Sequence, residues 1–137
     1  MGPQDGVDLA LRAAAAVVRS GRDDVQFVFI GSGDSYDELV ALAQELGISE
    51  RVTFTGRVPD ETVFEIFSTA DVGLAPYPLN PLNYVSTMNK TMEYMAFELP
   101  VVAFDLRETK VSAGTAAVYV KPNDTDLYAE AIVELLD

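Results

Sequence analysis

The stretch Val25-Gln26-Phe27-Val28-Phe29-Ile30-Gly31-Ser32-Gly33 decides the fold. Val25 to Ile30 form a short, nearly continuous apolar run of aromatic and β-branched residues, which predicts a buried strand. Glycines follow at once. After them Leu39, Leu42, Ala43 and Leu46 recur at helical spacing until Gly47. The same alternation runs outward in both directions. RVTFTG (Arg51–Gly56), DVGLAP (Asp71–Pro76), PVVAF (Pro100–Phe104) and AAVYV (Ala116–Val120) read as further strands. Upstream, Val7, Leu11, Ala14 and Val18 mark a helix that Gly21 stops. Asp60 is expected to cap a helix carrying Val63, Ile66, Phe67 and Ala70 on one face. A Pro- and Asn-rich loop, YPLNPLNYV, leads to a helix over Ser86–Phe97. A loop then runs through Ser112-Ala113-Gly114, and a last helix starts at Asp124. Strands separated by helices mean parallel βαβ units with right-handed crossovers, which put helices on both faces of the sheet. The expected fold is α/β: a doubly wound, Rossmann-like parallel sheet in three α/β/α layers. Such a sheet normally begins with a strand, whereas this chain opens into a helix, so the expectation is a piece of a longer protein.

Composition narrows the chemistry. With 137 residues the chain is about one domain. Lys and Arg number 9 against 22 Asp and Glu, a formal charge of −13, which argues against a nucleic-acid or anionic-membrane surface. The absence of His removes imidazole relays and imidazole metal ligands. The absence of Cys removes disulfides, thiolate zinc sites and thiol nucleophiles, and permits a reducing compartment. No apolar run approaches the ~18 residues of a membrane span, and no signal peptide opens the chain.

Two segments carry candidate chemistry. Gly31-Ser32-Gly33 lies between a strand and a helix, the context of a phosphate loop, but the third position of a dinucleotide fingerprint is Tyr36 and no acidic ribose partner follows. A tight βα turn and the glycine edge of a ligand cleft are both open readings. In Ser86-Thr87-Met88-Asn89-Lys90-Thr91-Met92-Glu93, Ser86 or Thr87 can cap a helix whose free N–H groups face the carboxyl end of a strand. The positive helix end together with Lys90 favours an anion such as pyrophosphate. Glu93, three residues on, shares the face of Lys90 and can take a sugar hydroxyl; a plain surface Lys–Glu pair is the competing reading. Met88, Met92 and Met95 read as core filling.

The Gly-x-Gly turn, RVTFTGRVPDE, STADVGLAPYP, EYMAFELPVVAF and VKPNDTDLYAEAIVELL together resemble the C-terminal domain of family 4 retaining glycosyltransferases, over essentially all of the chain. The most specific block is K-x-x-E-Y-M-A-x-x-x-P-V-V. The resemblance implies the two-domain glycosyltransferase-B fold, with residues 1–137 as a single nucleotide-sugar-binding domain and the acceptor domain outside this chain. It implies that Glu93 meets the nucleotide ribose as the second glutamate of a Glu-x7-Glu motif, whose first position is Val85 here. Ser86, Thr87, Asn89 and Lys90 match the loop whose amides meet donor sugar and phosphates. Arg57 and Val58 match a turn against the base, and Glu108 matches the acidic residue after the PVVA strand. The family's phosphate lysine corresponds to Asp5.

The implied reaction transfers a sugar, with retention, from a nucleoside diphosphate sugar to an acceptor hydroxyl. No catalytic side chain is assigned within this chain, and neither metal nor other cofactor is expected. A nucleotide-sugar epimerase of the same fold and a non-catalytic α/β module are the rival readings. For the latter, Asp105 ends a strand, but VQFVFI offers no acidic partner. The implied partners are the nucleotide-sugar donor and, through the acceptor domain, a sugar or lipid-linked acceptor. The implied setting is cytoplasmic, with peripheral attachment to the inner membrane face through that other domain. The family's strand order places a first, central strand between VQFVFI and DVGLAP. Without it, the chain alone is expected to be inactive, and either to be marginally stable or to close up, with those two strands pairing directly or another chain's strand filling the gap.

Overall fold

The computed structural model describes residues 5–22, 24–80, 83 and 89–137. Five short strands alternate with six helices among them: α1 (Val7–Arg19), β1 (Phe27–Ile30), α2 (Tyr36–Glu45), β2 (Val52–Gly56), α3 (Asp60–Thr69), β3 (Gly73–Ala75), α4 (Asn89–Ala96), β4 (Val101–Phe104), α5 (Arg107–Ala113), β5 (Ala117–Val120) and α6 (Thr125–Leu136). Every strand pairing is parallel. The α/β alternation read from the sequence is therefore the fold, with strand ends shorter by one or two residues.

Three local expectations are corrected. Asp60 does not cap α3: it is the first helical residue, and extended Pro59 precedes it as the cap position without a side-chain bond. A carboxylate in the first turn still complements the helix dipole. The segment before Gly114 is not a loop throughout, since Arg107–Ala113 forms α5, which Gly114 ends with φ 54°. Leu106 is extended and its carbonyl accepts the Lys110 N–H at 3.0 Å, starting that helix without a polar cap. The expected start of α4 at Ser86 and Thr87 lies outside the described residues.

Two of the helices bury most of their surface. Ala10, Ala13 and Ala14 are fully buried on α1, and small side chains let it lie close along α6 and against α2. One core unites Leu11 and Val17 of α1, Phe27 and Phe29 of β1, Val102 and Phe104 of β4, and Tyr128 and Ile132 of α6. α3 meets α4 through Phe67 against Tyr94, 5.2 Å between centroids, and meets Phe97, just after α4, through Phe64 at 5.6 Å. Such ring pairs are worth about 0.5–1.5 kcal/mol beyond the area they bury.

The sheet is divided. Among the described residues β1 pairs only with β2, while β3, β4 and β5 form a second sheet in that order. β4, the middle strand, is buried at all four residues. β1 is not: Phe27 and Phe29 are buried, but Val28, on the other face, is 41% exposed. A strand buried throughout needs cover on both faces, and Val28 instead lines a cavity of about 740 Å³ between the two sheets. The direct pairing of β1 with β3 expected for the chain alone is therefore not formed. The reason is the helical layer. A helix is about 10 Å across and covers roughly two strand spacings of ~4.8 Å. The α1/α6 core grips β1 on one side of the gap and β4 on the other, so closing it would expel that core.

Tyr94 reaches into the gap. Gly73 donates its N–H to Pro100 at 2.8 Å, on the β4 side, so the next residue, Leu74, turns its backbone groups the other way. The Leu74 carbonyl accepts the Tyr94 hydroxyl at 3.1 Å. Tyr94→Phe is expected to lower stability by about 1–2 kcal/mol by leaving that carbonyl unpaired. An unchanged urea midpoint would show that the bond contributes nothing.

Candidate functional site

Parallel strands gather the loops that follow them at one end of each sheet, where open α/β sheets bind ligands. After β1, Gly31 turns with φ 112° and donates its N–H to the Gly56 carbonyl at 3.0 Å. Gly33 follows with φ 147°, and its carbonyl accepts the Tyr36 N–H at 3.1 Å as α2 begins. A side chain at either position would strain that backbone. Tyr36, in the place of a third glycine, packs edge-on against Phe54 of β2, with centroids 5.9 Å apart. Gly31 and Gly33 thus form the tight βα turn, on the same edge as exposed Arg57 and half-buried Val58, which follow β2.

The second group follows β3. Tyr77, two residues beyond β3, is half-buried. Burial first, then the charges of Asp5 and Glu93, push its phenol up to about 12. Glu93 itself is exposed on α4, and its charge acts on both Tyr77 and Tyr94. Glu93 sits on α4, the helix described after β3, near enough to Tyr77 for its charge to be felt there. Asn89 and Lys90 open α4, and Lys90 lies three positions before Glu93 on that helix. The side chains of Asn89, Lys90 and Glu108 lie outside the described residues, as do Ser86 and Thr87 altogether; Glu108 belongs to α5.

A third cluster follows β4 and was not singled out as a unit by the sequence reading. Asp105 pairs with Lys110 at 3.0 Å, and Lys110 stands 5.5 Å from the centroid of the Tyr119 ring. Tyr119 in turn donates its hydroxyl to the Gly114 carbonyl at 2.7 Å. The buried Thr109 hydroxyl, on the same helix as Lys110, has no hydrogen-bond partner among the described residues. The spacing of Asp105 and Lys110 hinted at proximity, but only α5, read as loop in the sequence, brings them together.

The large cavity is not this edge. It is lined by Val25 through Ile30, by Val72 through Leu74, and by Phe67, Tyr94 and Ile132; Gly31, Gly33, Arg57, Val58 and Glu93 do not line it. Pro76 and Tyr77, which follow β3, also line it.

In an open α/β sheet ligands bind at the loops after the carboxyl ends of the strands, where Gly31, Gly33 and the start of α4 follow β1 and β3. The comparisons narrow the class. The family described as "Glycosyl transferases group 1" matches residues 1–137, and the chain belongs to that family. Alpha-D-kanosaminyltransferase of Streptomyces kanamyceticus is 32% identical over 136 residues, covering 98% of this chain and 34% of that protein. D-inositol 3-phosphate glycosyltransferase of Nocardia farcinica is 32% identical over 142 residues, covering 98% and 30%. The chain thus spans about a third of the length of these relatives. Among solved structures, a mutant of S. aureus TarM in complex with fondaparinux, alpha-GlcNAc-glycerol and UDP superposes with a TM-score of 0.86 at 19% identity, covering 99% of this chain and 27% of that one. Sucrose-phosphate synthase from Thermosynechococcus elongatus gives 0.75 at 23% identity, covering 98% and 34%. The Rossmann-like glycosyltransferase-B fold expected from the sequence is the fold of this domain. The relatives' names support sugar transfer and lend the epimerase and non-catalytic readings no support. No helix among the described residues is long and apolar enough to cross a membrane.

Proposed function

We propose that residues 1–137 are the donor-binding domain of an enzyme that transfers a sugar, with retention, from a nucleoside diphosphate sugar to an acceptor hydroxyl. The observation that carries this reading is the family match over the whole chain, made to relatives about three times longer. The β3–α4 arrangement supports it. The start of α4 with Lys90 supplies positive potential for a diphosphate, and Glu93 one turn later accepts hydrogen bonds from a ribose. Gly31 and Gly33 let a ligand approach the backbone, and Arg57 and Val58 flank the base from the β2 side. Val85 in the first motif position leaves donor-sugar recognition to Ser86, Thr87 and Asn89 and to their backbone amides. Glu108 completes the edge from α5.

In this scheme the domain works by orienting the donor and stabilising charge on the departing diphosphate, with no side-chain base in the chain. Metal and other cofactors are not required by it. The acceptor, a sugar or a lipid-linked sugar, is bound by a second domain, and the reaction takes place in the cytoplasm, with membrane attachment through that domain.

The test is calorimetry with UDP and GDP on the enzyme that carries this domain. Lys90→Ala is expected to weaken the better nucleotide by about tenfold to a hundredfold, the worth of one charge-assisted contact. Its melting temperature should stay near that of the parent. Glu93→Ala should weaken the same nucleotide yet leave inorganic pyrophosphate binding unchanged, because the carboxylate serves the ribose. Equal nucleotide affinity in parent and Lys90→Ala would remove the diphosphate role.

A further inference from the structure

The connection from β3 toward α4 leads the chain to the start of the helix that carries Lys90 and Glu93. Its described part, residues 76–80, has few means of holding its own path. Pro76 and Pro78 have no N–H to give. The Leu79 side chain is 46% exposed, so packing does not fix it. At the start of the segment, Gly6 lies against Pro76 and the Pro78 ring, and Tyr77 packs on the core of Ala75, Val101 and Ala103. Further on the segment folds on itself: the Asn83 side-chain amide donates to the Pro78 carbonyl at 3.0 Å, and the Asn83 N–H donates to Asn80 Oδ1 at 2.8 Å. Leu79 ties this folded piece to the β5 side. Its N–H donates to Asn123 Oδ1 at 3.0 Å.

Asn123 stands in a tight turn between β5 and α6. The Asp124 N–H donates to the Lys121 carbonyl at 3.1 Å, Pro122 takes the second position of the turn, and Asn123 takes the third with φ 65°. This is the pattern of a type II turn, whose third position is left-handed and usually glycine. Asparagine is the other residue that accepts this conformation, and it carries an oxygen that glycine lacks. That oxygen is the one Leu79 uses. The turn is held from behind, because Asp124 caps α6 by accepting the Leu127 N–H at 3.0 Å. β3, β4 and β5 run parallel, so the turn after β5 and the segment after β3 lie on one edge of the sheet.

We infer that Asn123 is a positioning residue for donor binding: its side-chain oxygen ties the β3–α4 connection to the β5–α6 turn and sets the path by which the chain arrives at the diphosphate site. Asn123 touches no ligand in this scheme and acts through Leu79. The inference rests on the donor-binding reading above and adds the residue that orders its loop in advance. A loop held before the ligand arrives does not have to be ordered by it, and the saving appears as affinity.

The test uses the enzyme that carries this domain, with calorimetry on UDP and GDP and amide hydrogen exchange at Leu79. Asn123→Gly keeps the turn, since glycine takes a positive φ freely, but removes the acceptor. It is expected to speed Leu79 exchange by roughly tenfold or more and to weaken the better nucleotide by about threefold to tenfold. The melting temperature should stay within about 3 °C of the parent. Asn123→Asp keeps an oxygen at that place and a residue that tolerates the left-handed turn. In about 0.5 M salt, where the added charge is screened, it should restore both readouts. Unchanged nucleotide affinity in Asn123→Gly, with Lys90→Ala still losing it, overturns the inference and leaves the donor-binding reading standing. Equal losses in Asn123→Asp and Asn123→Gly also overturn it, because the oxygen is then not what matters. A parent enzyme that binds neither nucleotide removes the donor-binding reading and this inference with it.

Discussion

Gly6→Ala is expected to destabilise the chain by about 2–4 kcal/mol. Gly6 is left-handed, φ 71°, where a Cβ alone costs about 1 kcal/mol. The rest of the cost is steric. The new Cβ would lie 1.8 Å from the Pro76 carbonyl oxygen, 2.7 Å from its carbon and 2.9 Å from the Pro78 ring. Two of those atoms are backbone, so either the start of α1 or the segment after β3 must move, and forced shifts of this kind cost about 1–3 kcal/mol. Gly47→Ala is the control. Gly47 has φ 74° but nothing within 4 Å of its Cβ position, so only the left-handed penalty applies. Urea denaturation of the two variants separates the terms, and equal losses would mean that the contact between α1 and the β3 end is not tight.

Tyr128→Ala is expected to cost more, about 3–5 kcal/mol, as for other large-to-small changes of buried rings. Tyr128 of α6 is completely buried, its ring centroid 4.9 Å from that of Phe104 and its hydroxyl 2.7 Å from the Val102 carbonyl. Tyr128→Phe keeps the ring and should lose only about 1–2 kcal/mol for the unpaired carbonyl. The phenol also ties stability to alkaline pH. Burial pushes its pKa well above 10, with the neighbouring Tyr94 adding to the rise. Above about pH 10 the unfolded chain loses this proton while the folded chain keeps it, so stability falls as pH rises. In Tyr128→Phe this contribution is gone, and the fall between pH 10 and 11 should be shallower. Identical slopes in the two proteins would locate the alkaline loss elsewhere.

How far the site was legible follows from what each feature depends on. Gly31 and Gly33 were readable because a strand–glycine–helix junction is local, and their φ angles confirm a turn that disfavours side chains. The order strand, loop, helix put Glu93 on the helix after β3, and its charge reaches Tyr77 beyond that strand. Tyr77 escaped notice because its setting comes from elements far apart in sequence: Asp5 before α1 and Glu93 on α4 both act on it. The Asp105–Lys110–Tyr119 cluster was missed because α5 was read as loop, the apolar residues Leu106, Val111 and Ala113 in and before it being too few and too unevenly spaced to show a helical period.

By itself the sequence determined the α/β alternation, the parallel sense of its units and the family. These rest on periodicity within single segments and on the rule that short helical connections return a chain to a parallel neighbour. Tertiary structure alone decided that β1 and β3 stay apart. A strand's hydrogen bonds are made to whatever lies beside it, and the pattern of VQFVFI or DVGLAP does not encode its neighbour. That choice was made by α1 and α6, whose alanine-lined contact and shared core with Phe29, Phe104 and Tyr128 hold both halves at a spacing the strands cannot close.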